Sequence, residues 1–134
     1  MTLAISPFFA GLLIVLQVFM TAFVGLYRVK SGIEFLDGGD VTMTRRMRAH
    51  GNFIETVPIA LLLMVLAELS GAPAVLLWSG GAALLAGRML HAYTIMKYGT
   101  APGRAIGMAM TTLPMAVFGA FLVWSVLTSP ALGS

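Results

Sequence analysis

Residues 3–27 form one unbroken stretch without a charged side chain, and residues 105–134 form another. A helix crossing a bilayer needs about 20 mainly apolar residues, and each stretch is long enough. Two less pure apolar segments lie between them, at 42–69 and 74–97. Of the 134 residues, 59% are hydrophobic and 10% are charged. Soluble domains carry roughly a quarter charged residues, so lipid rather than water is the solvent this chain is written for. The opening Met1, Thr2, Leu3 and Ala4 include no basic residue, and the apolar run behind them is too long for a signal-peptide core. We therefore expect a retained first span rather than a cleaved leader.

The spacing predicts an all-α chain: a single integral membrane four-helix bundle with spans at about 7–29, 42–69, 74–97 and 102–128. Asp37-Gly38-Gly39-Asp40 reads as a turn, and Ser70-Gly71-Ala72-Pro73 as a tight break. Thr42 or Thr44 is placed to cap the second helix, and Thr100 to cap the fourth. Pro58 and Pro114 fall inside spans, where neighbouring helices can satisfy the carbonyl each leaves free.

Arg28, Lys30, Arg45, Arg46 and Arg48 flank the first loop, and Lys97 and Arg104 flank the third. The positive-inside rule puts both loops in the cytoplasm and both termini on the other side. Tyr27 and Tyr98 then sit at the inner interface, with Trp78 and Trp124 near the outer one. Arg45 and Arg46 read as interface anchors and Glu68 as a solvated helix end. The net charge of +3 speaks of orientation, and no nucleic-acid partner is expected. With no cysteine, the chain has no thiol of its own, and no spacing suggests a metal site.

Arg45, Arg48, Asn52 and Glu55 follow one another at spacings of three, four and three, which places them on one face of the second helix. Arg88 and His91 share a face of the third. At about 1.5 Å per residue, Glu55 lies about 15 Å in from Arg45, and Arg88 about 13 Å in from Lys97. Asn52 and His91 lie about 10 Å and 9 Å in. An unpaired charge at mid-bilayer costs about 2.5–3.5 kcal/mol even on lenient scales, so a Glu55–Arg88 ion pair is expected, within or between subunits. Arg28, Arg48, Asn52, His91 and Arg104 converge on one cytoplasmic-side zone suited to a small anion with amide and carboxylate groups. The outer halves of the spans offer little polar lining, which argues against a channel or transporter.

Arg45-Arg46-Met47-Arg48-Ala49-His50-Gly51-Asn52-Phe53-Ile54-Glu55 resembles the Arg-x-x-Arg-Ala-x-x-Asn-x-x-Glu signature of the MAPEG family, the membrane-associated proteins in eicosanoid and glutathione metabolism. Thr56-Val57-Pro58, Gly87-Arg88-Met89-Leu90-His91 and Ala101-Pro102-Gly103-Arg104 match in order and spacing. The short first loop resembles the small bacterial branch, which implies a bacterial inner membrane. The resemblance implies a homotrimer with glutathione as co-substrate, bound near the cytoplasmic face between subunits. By position it implies glutathione contacts at Arg28, Asn52, Glu55 and His91, a catalytic arginine at Arg104 beside the thiol, and a structural arginine at Arg88; Arg48, which converges on the same zone, is expected to help position glutathione. Gly51, Ile95, Thr100 and Met108 stand where the eicosanoid enzymes carry basic or tyrosine side chains. The function implied is a glutathione transferase or peroxidase acting on hydrophobic electrophiles or lipids. The alternative is a non-catalytic lipid-binding or scaffold protein on the same fold.

Overall fold

In a computed structural model, residues 3–129 are described, and they form four helices: α1 (Ile5–Ser31), α2 (Val41–Leu69), α3 (Ala74–Tyr98) and α4 (Pro102–Leu127). All four are long and apolar enough to cross a membrane, and no strand occurs among the described residues. The chain is thus an all-α membrane four-helix bundle. The two extreme termini, expected on the non-cytoplasmic side, lie outside the described residues.

Short connections make the helices alternate in direction, so the first and third loops share one end of the bundle. Arg45 of α2 confirms it by donating to the Lys97 carbonyl at the end of α3, 3.3 Å away. The helices α2 and α3 form the central pair, each touching both outer helices. One apolar cluster joins Leu13, Phe53, Val57, Leu84 and Ile95 towards the loop-one end; a second joins Phe9, Met64, Leu77 and Phe118 towards the other. The outward faces of α1 and α4 are apolar and exposed, as at Val18, Leu26, Leu113 and Val123. In lipid those faces need no polar partner.

Glycine sets the closest approach. A Cβ on Gly107 would lie 2.7 Å from the Gly87 carbonyl oxygen, and one on Gly87 would lie 2.9 Å from the Gly107 carbonyl oxygen. The backbones of α3 and α4 are therefore in contact, which only the absence of both side chains allows.

The helix ends differ from expectation in three places. Asp40, not Thr42 or Thr44, caps α2, its carboxylate accepting from the Met43 N–H at 2.7 Å. The acidic cap matches the positive end of the helix, and Tyr27 also donates to it from α1. Ala101 stands at the N-cap of α4 with no side-chain bond, so Thr100 does not cap it; Pro102 starts the helix instead. Glu68 is not a solvated end. Its carboxylate accepts from the Ala4, Ile5 and Ser6 N–H groups at 2.7–2.9 Å, satisfying three orphan donors of α1 from another helix.

Arg45 and Arg46 are tied into the bundle rather than acting as interface anchors alone. Arg45 holds the end of α3 as above, and Arg46 donates to the Phe23 carbonyl at 2.6 Å with its guanidinium 4.5 Å from the Tyr27 ring centre.

Candidate functional site

The deepest basic residue, Arg88, is 1% exposed. Its Nε donates to the Thr111 hydroxyl at 2.7 Å. Nη1 donates to Asn52 Oδ1 at 2.7 Å and to the Thr56 hydroxyl at 3.0 Å. Nη2 donates to the Gly107 carbonyl and the Met108 sulfur, both at 3.3 Å. Arginine has five N–H donors, and these five contacts account for them all. The expected Glu55–Arg88 pair therefore does not form within the chain. The reason is angular. Asn52 and Thr56 lie one turn apart on the face of α2 towards α3, whereas Glu55 is rotated off it onto the exposed side. Neutral oxygens from three helices replace the single carboxylate.

Beside this network opens a cleft of about 500 Å³. The α2 helix contributes Arg48, Asn52 and Glu55 to its wall, α4 contributes Arg104, and the first loop contributes Asp37. The sequence places the first three at helical spacing, and Asn52 is held by Arg88 behind it. Among the described residues, the side chains of Arg48, Glu55 and Arg104 make no hydrogen bond or ion pair. Their charges stay open to the cleft while Arg88 is saturated. Because Arg88 can only donate, the atom of Asn52 facing it is oxygen, which turns the amide NH₂ towards the cleft as a donor.

Asp37 is a lining residue that the sequence marks only as part of a turn. Its carboxylate accepts from the Thr44 hydroxyl at 2.7 Å and from the Gly39 N–H at 3.0 Å. Those bonds, the Thr44 one foremost, hold its carboxyl below the usual range, so it stays ionised at the cleft edge. Thr111 is silent in the sequence, and Thr56 stands out there only as the first residue of Thr56-Val57-Pro58. A threonine that bonds the carbonyl one turn back, as both do, reads as neutral filler in an apolar helix.

Arg28 and His91 do not line the cleft. Arg28 donates to the Ile33 and Glu34 carbonyls and to the Met47 sulfur, at 3.3–3.4 Å. It folds the first loop back on α1 and touches the cleft only through Met47, a wall residue. His91 is 2% exposed, packed where α3 meets Gly107 of α4, and its Nε2 has no hydrogen-bond partner among the described residues. No group of histidine and acidic side chains there could hold a metal ion, among the described residues.

The same helices, motif and cleft lie in the part of the chain that matches a known family model. Residues 6–124 match the model described as the MAPEG family. The chain belongs to the MAPEG family. It is also 38% identical over 66 residues to Inner membrane protein YecN of Escherichia coli strain K12, and equally to the YecN of Escherichia coli O6:H1. The match covers 49% of this chain and 50% of each relative, so it spans about half of the curated proteins' length. This MAPEG protein thus presents its family motif as two layers, a saturated arginine inside and free charges at the cleft.

That layering gives a test. Replacing Asn52 with aspartate exchanges the cleft-facing NH₂ for an acceptor while giving Arg88 an anionic partner. We expect unfolding in mixed micelles to show stability kept or raised, and affinity for an anionic cleft ligand to fall about tenfold or more. Parallel losses of stability and binding would show that Asn52 is only a packing residue.

Proposed function

We infer that this MAPEG chain is a glutathione-dependent transferase or peroxidase acting on hydrophobic electrophiles at the cytoplasmic face of the inner membrane. It works there as a homotrimer with its termini on the opposite side. One observation carries the reading: three charged side chains without internal partners, Arg48, Glu55 and Arg104, surround one cleft with the donor amide of Asn52. Glutathione is a small peptide with two carboxylates, one ammonium and two amides, and the cleft offers partners to three of these groups. Arg48 takes a carboxylate, Glu55 and Asp37 favour the ammonium, and Asn52 donates to a carbonyl or carboxylate oxygen.

Arg104 stands in the first turn of α4, where the helix N-terminus adds its own positive potential. A thiol held there is more acidic, because both charges favour the thiolate. Arg104 is the catalytic residue of this reading; it stabilises the sulfur anion that attacks an electrophile arriving from the lipid. Arg28 supports the loop that bounds the cleft, and His91 fixes the α3–α4 seam.

Calorimetric titration of the purified protein with glutathione tests the reading, together with the ultraviolet absorbance of the bound thiolate. The Arg104 side chain is exposed and makes no hydrogen bond among the described residues, so Arg104→Ala should keep the fold and lower the thiolate signal about tenfold or more. Absence of binding at millimolar glutathione would remove the enzyme reading. Co-purified lipid in the cleft, with indifference to Arg104→Ala, would support a non-catalytic lipid-binding protein in its place.

A further inference from the structure

Leu36 is, among the described residues, the one non-glycine residue with a left-handed backbone, at φ 51°. A Cβ makes that conformation strained, and glycine or asparagine adopts it at lower cost. The first loop imposes it. On one side Arg28 holds the Ile33 and Glu34 carbonyls, at 3.4 Å and 3.3 Å. On the other side the Thr44 hydroxyl holds the Asp37 carboxylate, and the Asp37 carbonyl accepts from the Asp40 N–H at 2.9 Å. These two shoulders pack on each other, since a Cβ on Gly38 would meet Ile33 Cγ1 at 3.2 Å. Phe35 and Leu36 bridge them, and Leu36 takes the left-handed turn.

Nothing in the bundle offsets that strain. The Leu36 side chain is 78% exposed, so it adds little to either apolar cluster. It does line the cleft, next to Asp37 and with the apolar wall of Met47 and Ile95. Phe35, equally exposed, does not line it. What leucine supplies here, and glycine or asparagine would not, is a bulky apolar group at the loop-one mouth of a charged cleft. An apolar group over such a cleft excludes water, and charges act more strongly where water is excluded. We propose that Leu36 is the cover of the cleft: its side chain closes on the bound ligand, shields the charges of Arg48 and Glu55 from water and slows the ligand's departure. Strain in the loop holds the leucine at that place, as strained backbone does at other ligand clamps. The thiol-transfer reading enters only in naming glutathione as that ligand.

The test compares Leu36→Gly and Leu36→Asn, which accept the left-handed turn without the apolar group, with Phe35→Asn as control. Two readouts are used, both on the full chain in nanodiscs. The first needs no ligand. Gly51 lines the cleft, a Cβ there meets nothing within 4 Å, and the chain has no cysteine of its own. Gly51→Cys therefore puts one thiol in the cleft, and its rate of reaction with a charged methanethiosulfonate reports how open the mouth is. That rate should rise severalfold in both Leu36 variants and stay unchanged in Phe35→Asn. The second readout is glutathione dissociation from the cysteine-free protein, which should be about tenfold faster in both Leu36 variants, the scale of losing part of one buried leucine contact. The unfolding midpoint of Leu36→Gly should match or exceed the parent's, because the strain is gone. A lower midpoint would make Leu36 a packing residue and overturns the proposal. An unchanged thiol rate overturns it, as does unchanged dissociation of glutathione that does bind. Equal effects from Phe35→Asn would mean general loosening of the loop and also overturn it. If glutathione does not bind while the thiol rate rises as expected, the cover stands and the thiol-transfer reading alone falls.

Discussion

Arg88→Leu should destabilise the bundle by about 3–5 kcal/mol, measured as unfolding in mixed detergent micelles. The guanidinium is enclosed and bonded to α2 through Asn52 and Thr56, and to α4 through Thr111 and Gly107. Among the described residues, it is the one side chain that ties three helices together by hydrogen bonds at mid-span. Leucine removes those bonds, leaves a void of guanidinium size and strands Asn52 Oδ1 without a donor. The two threonine hydroxyls lose less, because each already donates to the carbonyl one turn back. The opposing effect is real: removing a buried cation also removes its desolvation penalty, and some buried polar networks are replaced by apolar residues without loss. The double variant Arg88→Leu/Asn52→Leu separates these. Recovery of about 1–3 kcal/mol assigns that part to the stranded amide. A single variant as stable as the parent would mean that desolvation already cancels the five bonds, and that Arg88 is kept for geometry alone.

The spans were legible because lipid imposes a length and a composition that few other constraints can imitate. The residue pattern places the first span at 7–29, and α1 runs from Ile5 to Ser31. It lengthens because Glu68 satisfies its first N–H groups from α2, a contact between positions more than sixty residues apart. No local pattern encodes that. The cap at Asp40 was hidden for a related reason, since Asp40 also reads as the last residue of a turn. In the site, helical spacing correctly placed Arg48, Asn52 and Glu55 along α2, and the cleft adds Arg104 to them. Spacing failed for Arg88, where charge matching at similar depth favoured Glu55. Depth fixes one coordinate, but the angle about the helix axis decides contact, and that angle favoured Asn52 and Thr56. It also failed for His91, whose face is turned into α4 by the glycine seam.

Gly107→Val should be as damaging as losing Arg88, and should disable the site as well as the fold. The added Cβ would lie 2.7 Å from the Gly87 carbonyl oxygen and 2.8 Å from the His91 backbone nitrogen. These are backbone atoms, so no change of rotamer relieves the overlap, and α4 must move off α3. Overpacking alone costs about 1–3 kcal/mol. Here the movement also strains the Arg88 bonds to Thr111 and to the Gly107 carbonyl, which takes the expected loss to about 3–5 kcal/mol. Arg104 lies three residues earlier on the same helix, so it moves with α4 and the cleft loses that wall. Ligand binding should therefore fall even in the fraction of protein that remains folded. Gly119→Ala is the control, because a Cβ there meets nothing within 4 Å. It should be neutral or slightly stabilising, as alanine is a better helix former than glycine. If Gly107→Val unfolds no more readily than Gly119→Ala, the backbone contact between α3 and α4 is not what positions Arg104, and the first turn of α4 must be held by the loop before it.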